Sequence, residues 1–330
     1  MFSFFADMQR RHAPSLEFYN GGLHPAVECL ERVEAILSAI GPTKAPFDHG
    51  LGPIARVHSP DYLVFLQSAF DDWRAAGRDG DAFPYTFPIA GRRPRAFDRI
   101  DARLGQYAFD TSTPIGAGTW EAAYWSAQSA LSALAALLDG EHAAFAFCRP
   151  PGHHAGRDYL GGYSYLNNAA IAAEAALAAG KRSVAILDVD YHHGNGTQDI
   201  VAGRDDIRFA SIHADPRMDY PFYWGHADES QGNVLNLPLP RGTDWAAYQP
   251  ALTHALDWLE KGAPELLVVS YGADTYAGDP ISHFKLQTAD YTSMARRIAS
   301  LGLPTLIVME GGYAVDALGA NVAAFLGGFA

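Results

Sequence analysis

The 330-residue chain is poor in cysteine: Cys29 and Cys148 are its only two. That is too few for a disulfide framework or a cysteine-built metal cluster in a chain of this length, and a reducing compartment, the cytoplasm, is expected. Basic residues are also scarce, with 24 Lys and Arg against 37 Asp and Glu and a formal charge of −13. The electrostatic footprint of a nucleic-acid partner is therefore missing. An acidic field favours small cations such as amines, although it serves solubility equally well. Long apolar runs are lacking too. The tracts 130–138 and 169–179 are Ala-rich but interrupted by Ser132 and Glu174, short of the roughly 20 residues that span a bilayer. At the N-terminus Asp7, Arg10 and Arg11 stand where a secretory signal would carry its apolar segment, so neither a signal nor a membrane partner is expected. There is no G-x-G-x-x-G, no G-x-x-x-x-G-K-[ST] and no G-x-S-x-G, which argues against nucleotide-loop and serine-hydrolase chemistry.

What the chain does have is an ordinary globular composition, 48% hydrophobic and 18% charged, with no internal repeat. A single domain over residues 1–330 is expected. The Pro/Gly/Arg-rich stretch 77–99 carries Phe83, Tyr85 and Phe87, too aromatic for a solvated linker, and reads as a structured insertion. Short apolar runs at 144–148, 183–187, 208–212, 266–270 and 305–309 alternate with helical patterns at 120–138, 168–179, 245–261 and 289–301. This order predicts an α/β fold with a mostly parallel central sheet and helices on both faces. Right-handed crossovers place every strand C-terminus on one edge, where ligands bind.

Each predicted strand delivers polar residues to that edge. Arg149-Pro150-Pro151-Gly152-His153-His154 follows the first and Asp188-Val189-Asp190-Tyr191-His192-His193-Gly194-Asn195 the second. Ser211-Ile212-His213 ends the third, Tyr271-Gly272-Ala273-Asp274 follows the fourth, and Glu310-Gly311-Gly312-Tyr313 the fifth. Asp188, Asp190 and His192 are spaced by two and point to one side of an extended chain. Asp190, His192 and the distant Asp274 make an open three-ligand nitrogen and oxygen set suited to zinc or ferrous iron. The same D-x-D-x-H run also suits a solvated loop or a phosphate or magnesium site. Tandem His153 and His154 supply the base and acid that hydrolysis of an amide at a metal needs, with Asp188 and Asn195 as orienting partners. His193 and His213 read as structural. Tyr313, behind two glycines, is placed to donate to an oxyanion, or else is a buried tyrosine with a satisfied hydroxyl.

These segments, R-P-P-G-H-H-A, G-G-Y-S-Y-L-N-N, D-V-D-Y-H-H-G-N-G-T-Q, G-A-D-T-Y-A-G-D-P and E-G-G-Y, resemble the zinc-dependent histone deacetylases of the arginase/deacetylase fold over nearly the whole chain. Within that superfamily the chain is most similar to the bacterial acetylpolyamine amidohydrolases, through 17–22 (E-F-Y-N-G-G), 118–123 (G-T-W-E-A-A), 279–282 (D-P-I-S) and 284–286 (F-K-L). The resemblance implies zinc on Asp190, His192 and Asp274, His154 as general base and then acid, His153 as an electrostatic assistant paired with Asp188, Asn195 facing His154, and Tyr313 polarising the acyl carbonyl. It implies a structural potassium near Asp188, Asp190, His192, Ser211 and Ile212, partly on backbone carbonyls. Gly162 and Tyr163 would wall the acyl tunnel, with Tyr220 or Tyr223 at the rim. The insertion, about 77–115, would sit at the mouth and help form a homodimer that admits slender cationic acylated amines, met by Glu17 and Asp101. Ser164 stands where many relatives have Cys, and a second acidic mouth position falls near Ser112.

The resulting expectation is a metal-dependent amidohydrolase that removes acetyl or a short acyl group from acetylated polyamines or related primary amines. A lysine deacylase acting on peptides or proteins is the alternative. A non-catalytic acyl-amine binder is disfavoured because binding needs no proton shuttle. An arginase-like ureohydrolase ranks last because it needs two manganese ions and more Asp and His ligands.

Overall fold

The continuous apolar runs become neighbouring strands in the computed structural model of the chain, which describes residues 1–89 and 95–330. The strands are β1 (Phe2–Phe4), β2 (Leu16–Tyr19), β3 (Gly22–Pro25), β4 (Ala143–Ala146), β5 (Val184–Asp188), β6 (Ile207–Ala214), β7 (Val234–Leu239), β8 (Leu266–Tyr271) and β9 (Thr305–Met309). Seven of them form one sheet in the order β1-β4-β9-β8-β5-β6-β7, and every adjacent pair runs parallel. The pair β2–β3 is a separate antiparallel hairpin. The helices are α1 (Glu31–Ile40), α2 (Gly52–Val57), α3 (Pro60–Ala75), α4 (Ile100–Gln106), α5 (Thr119–Leu138), α6 (Asn168–Ala178), α7 (Asn195–Val201), α8 (Trp245–Glu260), α9 (Thr288–Ala299) and α10 (Val315–Gly327). The five strands and four helices expected from the sequence lie within a residue or two of their predicted bounds. None of the described helices is long and apolar enough to cross a membrane.

Alternate residues of the central strands serve opposite faces, as the pleat dictates. Leu187, Ile212, Val269 and Ile307 pack with α1, α8, α9 and α10 on one side. Ile186, Phe209, Val268 and Val308 pack with α5 and α6 on the other. All eight side chains are fully buried, each worth about 1.5–3 kcal/mol of apolar transfer. That two-sided burial explains why the strands read as unbroken apolar runs. Side-chain caps fix several helix starts: Asn167 Oδ1 accepts Ala170 N (2.9 Å) at α6, and Asp244 Oδ1 accepts Ala247 N (3.0 Å) at α8.

A third cluster, built by α2, α3, α4 and the outward side of α5, covers the flank. The expected insertion 77–115 is anchored there. Ala82 and Ile115 exchange backbone hydrogen bonds at its two ends (2.9 and 3.0 Å), and Tyr107 stacks on Phe65 with ring centroids 4.6 Å apart. Its residues 90–94 lie outside the described residues.

Candidate active site

Strand β5 ends at Asp188, so Asp190 and His192 project from the sheet edge, and Asp274 reaches the same point three residues beyond β8. One ligand atom from each of Asp190, His192 and Asp274 lies within 4.8 Å of the others, all three residues buried. His192 Nδ1 stands 3.1 Å from Asp274 Oδ2 and 3.3 Å from Asp190 Oδ1. The carboxylates are set from behind by the backbone: Gly311 N donates to Asp190 Oδ2 (2.9 Å) and Tyr191 N to Asp274 Oδ1 (2.9 Å). A Cβ at Gly272 would fall 2.0 Å from Asp190 Oδ2, so only bare backbone fits against the ligands. Burial, and then the charge of Asp190, push the Asp274 carboxyl up. Burial acts the same way on Asp190, but His153 and His192 outweigh it and hold it low. Two crowded buried carboxylates beside one imidazole call for positive charge between them, and the nitrogen and oxygen donors fit a divalent cation with room for a water.

The two histidines that follow Pro150-Pro151-Gly152 are held differently. His153 Nδ1 lies 3.0 Å from Asp188 Oδ2. Burial lowers its pKa, but Asp188 and Asp190 outweigh burial and raise it to about 10. His154 Nδ1 donates to the neutral Asn195 Oδ1 (2.7 Å), which leaves Nε2 with its lone pair. Burial, then the charges of His153 and His192, push His154 well below the ordinary histidine range. At neutral pH the pair thus comprises one imidazolium and one free base. The loop that carries them hangs on Glu310, a fully buried carboxylate that accepts Gly152 N (2.6 Å), His153 N (3.1 Å) and Ser270 Oγ (3.0 Å).

Tyr313 enters from beyond β9. Arg32 donates to the carbonyls of Gly312 (2.7 Å) and Glu310 (2.8 Å), while Asp279 accepts Tyr313 N (2.7 Å). Burial raises the phenol well above its ordinary pKa, so it stays a neutral donor. Arg32 is itself fixed by Glu28 (2.6 Å), which also holds Arg149 through both carboxylate oxygens (2.8 and 2.9 Å).

His154, His192 and Tyr313 open into a cavity of about 390 Å³ that is also lined by Glu17, Tyr19, Asn20, Ser112, Gly162, Tyr163, Tyr220, Phe222, Pro280 and Ile281. Gly162 has φ +53°, and a Cβ there would sit 2.1 Å from His154 Cδ2, which is why glycine precedes the wall residue Tyr163. Tyr220 crosses His154 edge-on, ring centroids 5.1 Å apart, and donates its hydroxyl to Asp110 (2.8 Å). Burial raises Glu17, 2% exposed, to about 7 against the lowering influence of Tyr163.

Of the expected site residues, the structure gathers His153, His154, Asp188, Asp190, His192, Asn195, Asp274, Gly162, Tyr163, Glu17, Tyr220 and Tyr313 at this edge. Asp188 faces Ser211 across β5 and β6, with Ile212 next in the strand. Two expected mouth residues are placed elsewhere. Tyr223 is 83% exposed and outside the lining, where Tyr220 and Phe222 stand instead. Asp101 sits on α4 with its carboxylate on Arg78 (2.6 Å) and Arg99 (2.8 Å), away from the cavity. An acidic residue flanked by two guanidiniums has its charge met locally and adds none to this cleft. Glu310, Asp279 and Asp110 carried no role in the sequence reading, because each acts on backbone N–H groups far away in the chain.

The histone deacetylase domain family matches residues 26–329. The chain is 49% identical to acetylpolyamine amidohydrolase 1 of Pseudomonas aeruginosa, over 100% of this chain and 99% of that protein. It is 45% identical to the acetylpolyamine amidohydrolase of Mycoplana ramosa, over 99% and 98%. A crystal structure of acetylpolyamine aminohydrolase from Burkholderia pseudomallei superposes with a TM-score of 0.95 at 42% identity, covering 100% of this chain and 98% of that one.

Proposed function

The chain belongs to the histone deacetylase family and is a metal-dependent hydrolase of amides, and from that premise we propose that it removes acetyl or a similarly short acyl group from acetylated polyamines or related primary amines. Zinc is the proposed metal on Asp190, His192 and Asp274, with ferrous iron the other ion that this donor set suits. When bound, the ion supplies a Lewis acid for the acyl carbonyl and lowers the pKa of a water. The rest is done by the chain. His154 Nε2 takes a proton from the attacking water and returns one to the departing amine. The Tyr313 hydroxyl donates to the carbonyl oxygen as negative charge builds on it. His153, kept protonated by Asp188, adds a positive charge next to Asp190 and His154. The reading also includes a structural potassium among Asp188, Asp190, His192, Ser211 and Ile212. A homodimer built through the insertion belongs to it too, because Tyr85, Phe87, Ile89 and Phe97 are exposed there.

The observation that carries the substrate class is Glu17, the one carboxylate among the described residues that line a cleft walled largely by Tyr19, Tyr163, Tyr220, Phe222 and Tyr313. It suits a chain that ends in an ammonium. The test is kcat/KM for amine release from acetylputrescine or acetylcadaverine against an acetyl-lysine peptide, with the zinc-loaded protein. A strong preference for the small amines is expected. Preference for the peptide moves the protein to the lysine deacylases, and activity on neither overturns hydrolysis.

Glu17 also sets a pH dependence. Its carboxyl is raised to about 7, so it is mostly neutral below that pH and charged above it, and only the charged form pairs with an ammonium. KM for acetylputrescine is therefore expected to fall as pH rises from about 6 to 8, whereas Glu17→Gln flattens that fall and raises KM. A KM with the same pH dependence in both proteins removes Glu17 from substrate recognition.

A further inference from the structure

Tyr313 follows two glycines, and Gly312 has φ +124°. Such a turn has little steric preference of its own, so a hydroxyl that must meet an acyl oxygen needs to be held from outside. Its backbone is gripped on each polar side. Asp190 Oδ2 accepts Gly311 N, and Arg32 binds the carbonyls of Glu310 and Gly312. Two further donors, Tyr313 N and Ala314 N, both go to one oxygen of Asp279, Oδ2, at 2.7 and 3.2 Å. The other oxygen, Oδ1, accepts Ile281 N at 3.1 Å.

Asp279 is 7% exposed and belongs neither to the three-ligand set nor to the cleft lining. Ala314 is the residue from which α10 starts, so the carboxylate stands at a helix N-terminus, where negative charge is favoured. The neighbours Pro280 and Ile281 line the cleft. One buried carboxylate thereby joins the turn that aims Tyr313 to another segment of the cleft lining. We propose that Asp279 is a positioning residue for Tyr313: it fixes the phenol at the distance from the metal centre that the acyl oxygen will occupy. Charge-assisted hydrogen bonds are the stronger kind, and two on one oxygen constrain the residue's backbone in both tilt and translation.

This inference rests on Tyr313 being the acyl-oxygen donor, so the experiment measures both. The kcat and KM of wild type, Asp279→Ala, Tyr313→Phe and the double variant are compared on acetylputrescine, with zinc content and Tm as folding controls. Tyr313→Phe is expected to lower kcat by about 10² to 10³. Asp279→Ala is expected to lower kcat by about 10-fold or more with KM little changed, and to have no further effect in the Tyr313→Phe background, since a misplaced hydroxyl and an absent one are equivalent. A residue that only stabilises the fold lowers kcat by the same factor in both backgrounds, and that result overturns the proposal, as does an unchanged kcat in Asp279→Ala. If Asp279→Ala does not fold, Asp279→Asn carries the same comparison. The neutral amide has one acceptor oxygen where the carboxylate has two, so it loses either the Tyr313 and Ala314 N–H groups or that of Ile281 and breaks the tie between turn and cleft segment; kcat is expected to fall in wild type and stay level in Tyr313→Phe. A Tyr313→Phe enzyme with full activity refutes the donor reading instead, which keeps the two failures apart.

Discussion

Replacing His154 with alanine is expected to lower kcat by about 10² to 10⁴ while zinc content stays at that of the wild type. The imidazole lines the cleft but is not one of the three clustered ligands, so the loss should fall on proton transfer. Its Nδ1 hydrogen is committed to Asn195, which leaves Nε2 as the basic atom. Burial and two neighbouring imidazoles hold the group neutral well below the ordinary histidine pKa, and a cation at the adjacent site pushes the same way. The acid limb of kcat against pH, measured at saturating substrate so that Glu17 does not enter, should therefore lie below about 6.5, and the alanine variant should lack it. A loss smaller than tenfold, or an unchanged acid limb, removes His154 as the base. His153 is not expected to take over. With Asp188 on its Nδ1 it is raised to about 10, so at neutral pH it already holds the proton that a base would need to accept.

Much of this is legible in the sequence because the chemistry sits at strand ends. Unbroken apolar runs gave β4, β5, β6, β8 and β9 their positions, and the polar residues after each had to share an edge once the strands ran parallel. The edge strands were not legible. β1 is three residues long, and β7 carries Asn236 and Pro238 within Val234–Leu239, a pattern that suits a strand paired on one side only. The supporting residues were hidden for a different reason. Glu310 and Gly152 are 158 positions apart, and Asp279 and Tyr313 are 34 apart. A carboxylate that accepts a distant backbone N–H leaves no spacing in the sequence, because any fold can bring it there. Asp101 shows the converse. The family resemblance put it at the mouth, but Arg78 and Arg99 claim its charge.

Asp274→Asn is expected to abolish zinc binding and, with it, turnover, and the metal-free proteins should show why. In metal-free wild type the Asp274 carboxyl is raised above its ordinary 3.8 by burial and by Asp190. The native state therefore holds a proton that the unfolded chain releases. Stability on this account is full below about pH 4 and falls as pH rises toward neutrality. The asparagine has no such proton to lose, and its Oδ1 can still accept Tyr191 N. At about pH 8 the metal-free variant should melt above metal-free wild type. Zinc reverses the order: wild type gains about 2.7 kcal/mol at a free concentration 100 times Kd, and the variant gains little. Crossed melting temperatures identify Asp274 as a ligand strained in the absence of its ion. A variant that binds one zinc per chain, or that melts below wild type with and without zinc, assigns Asp274 a structural role instead.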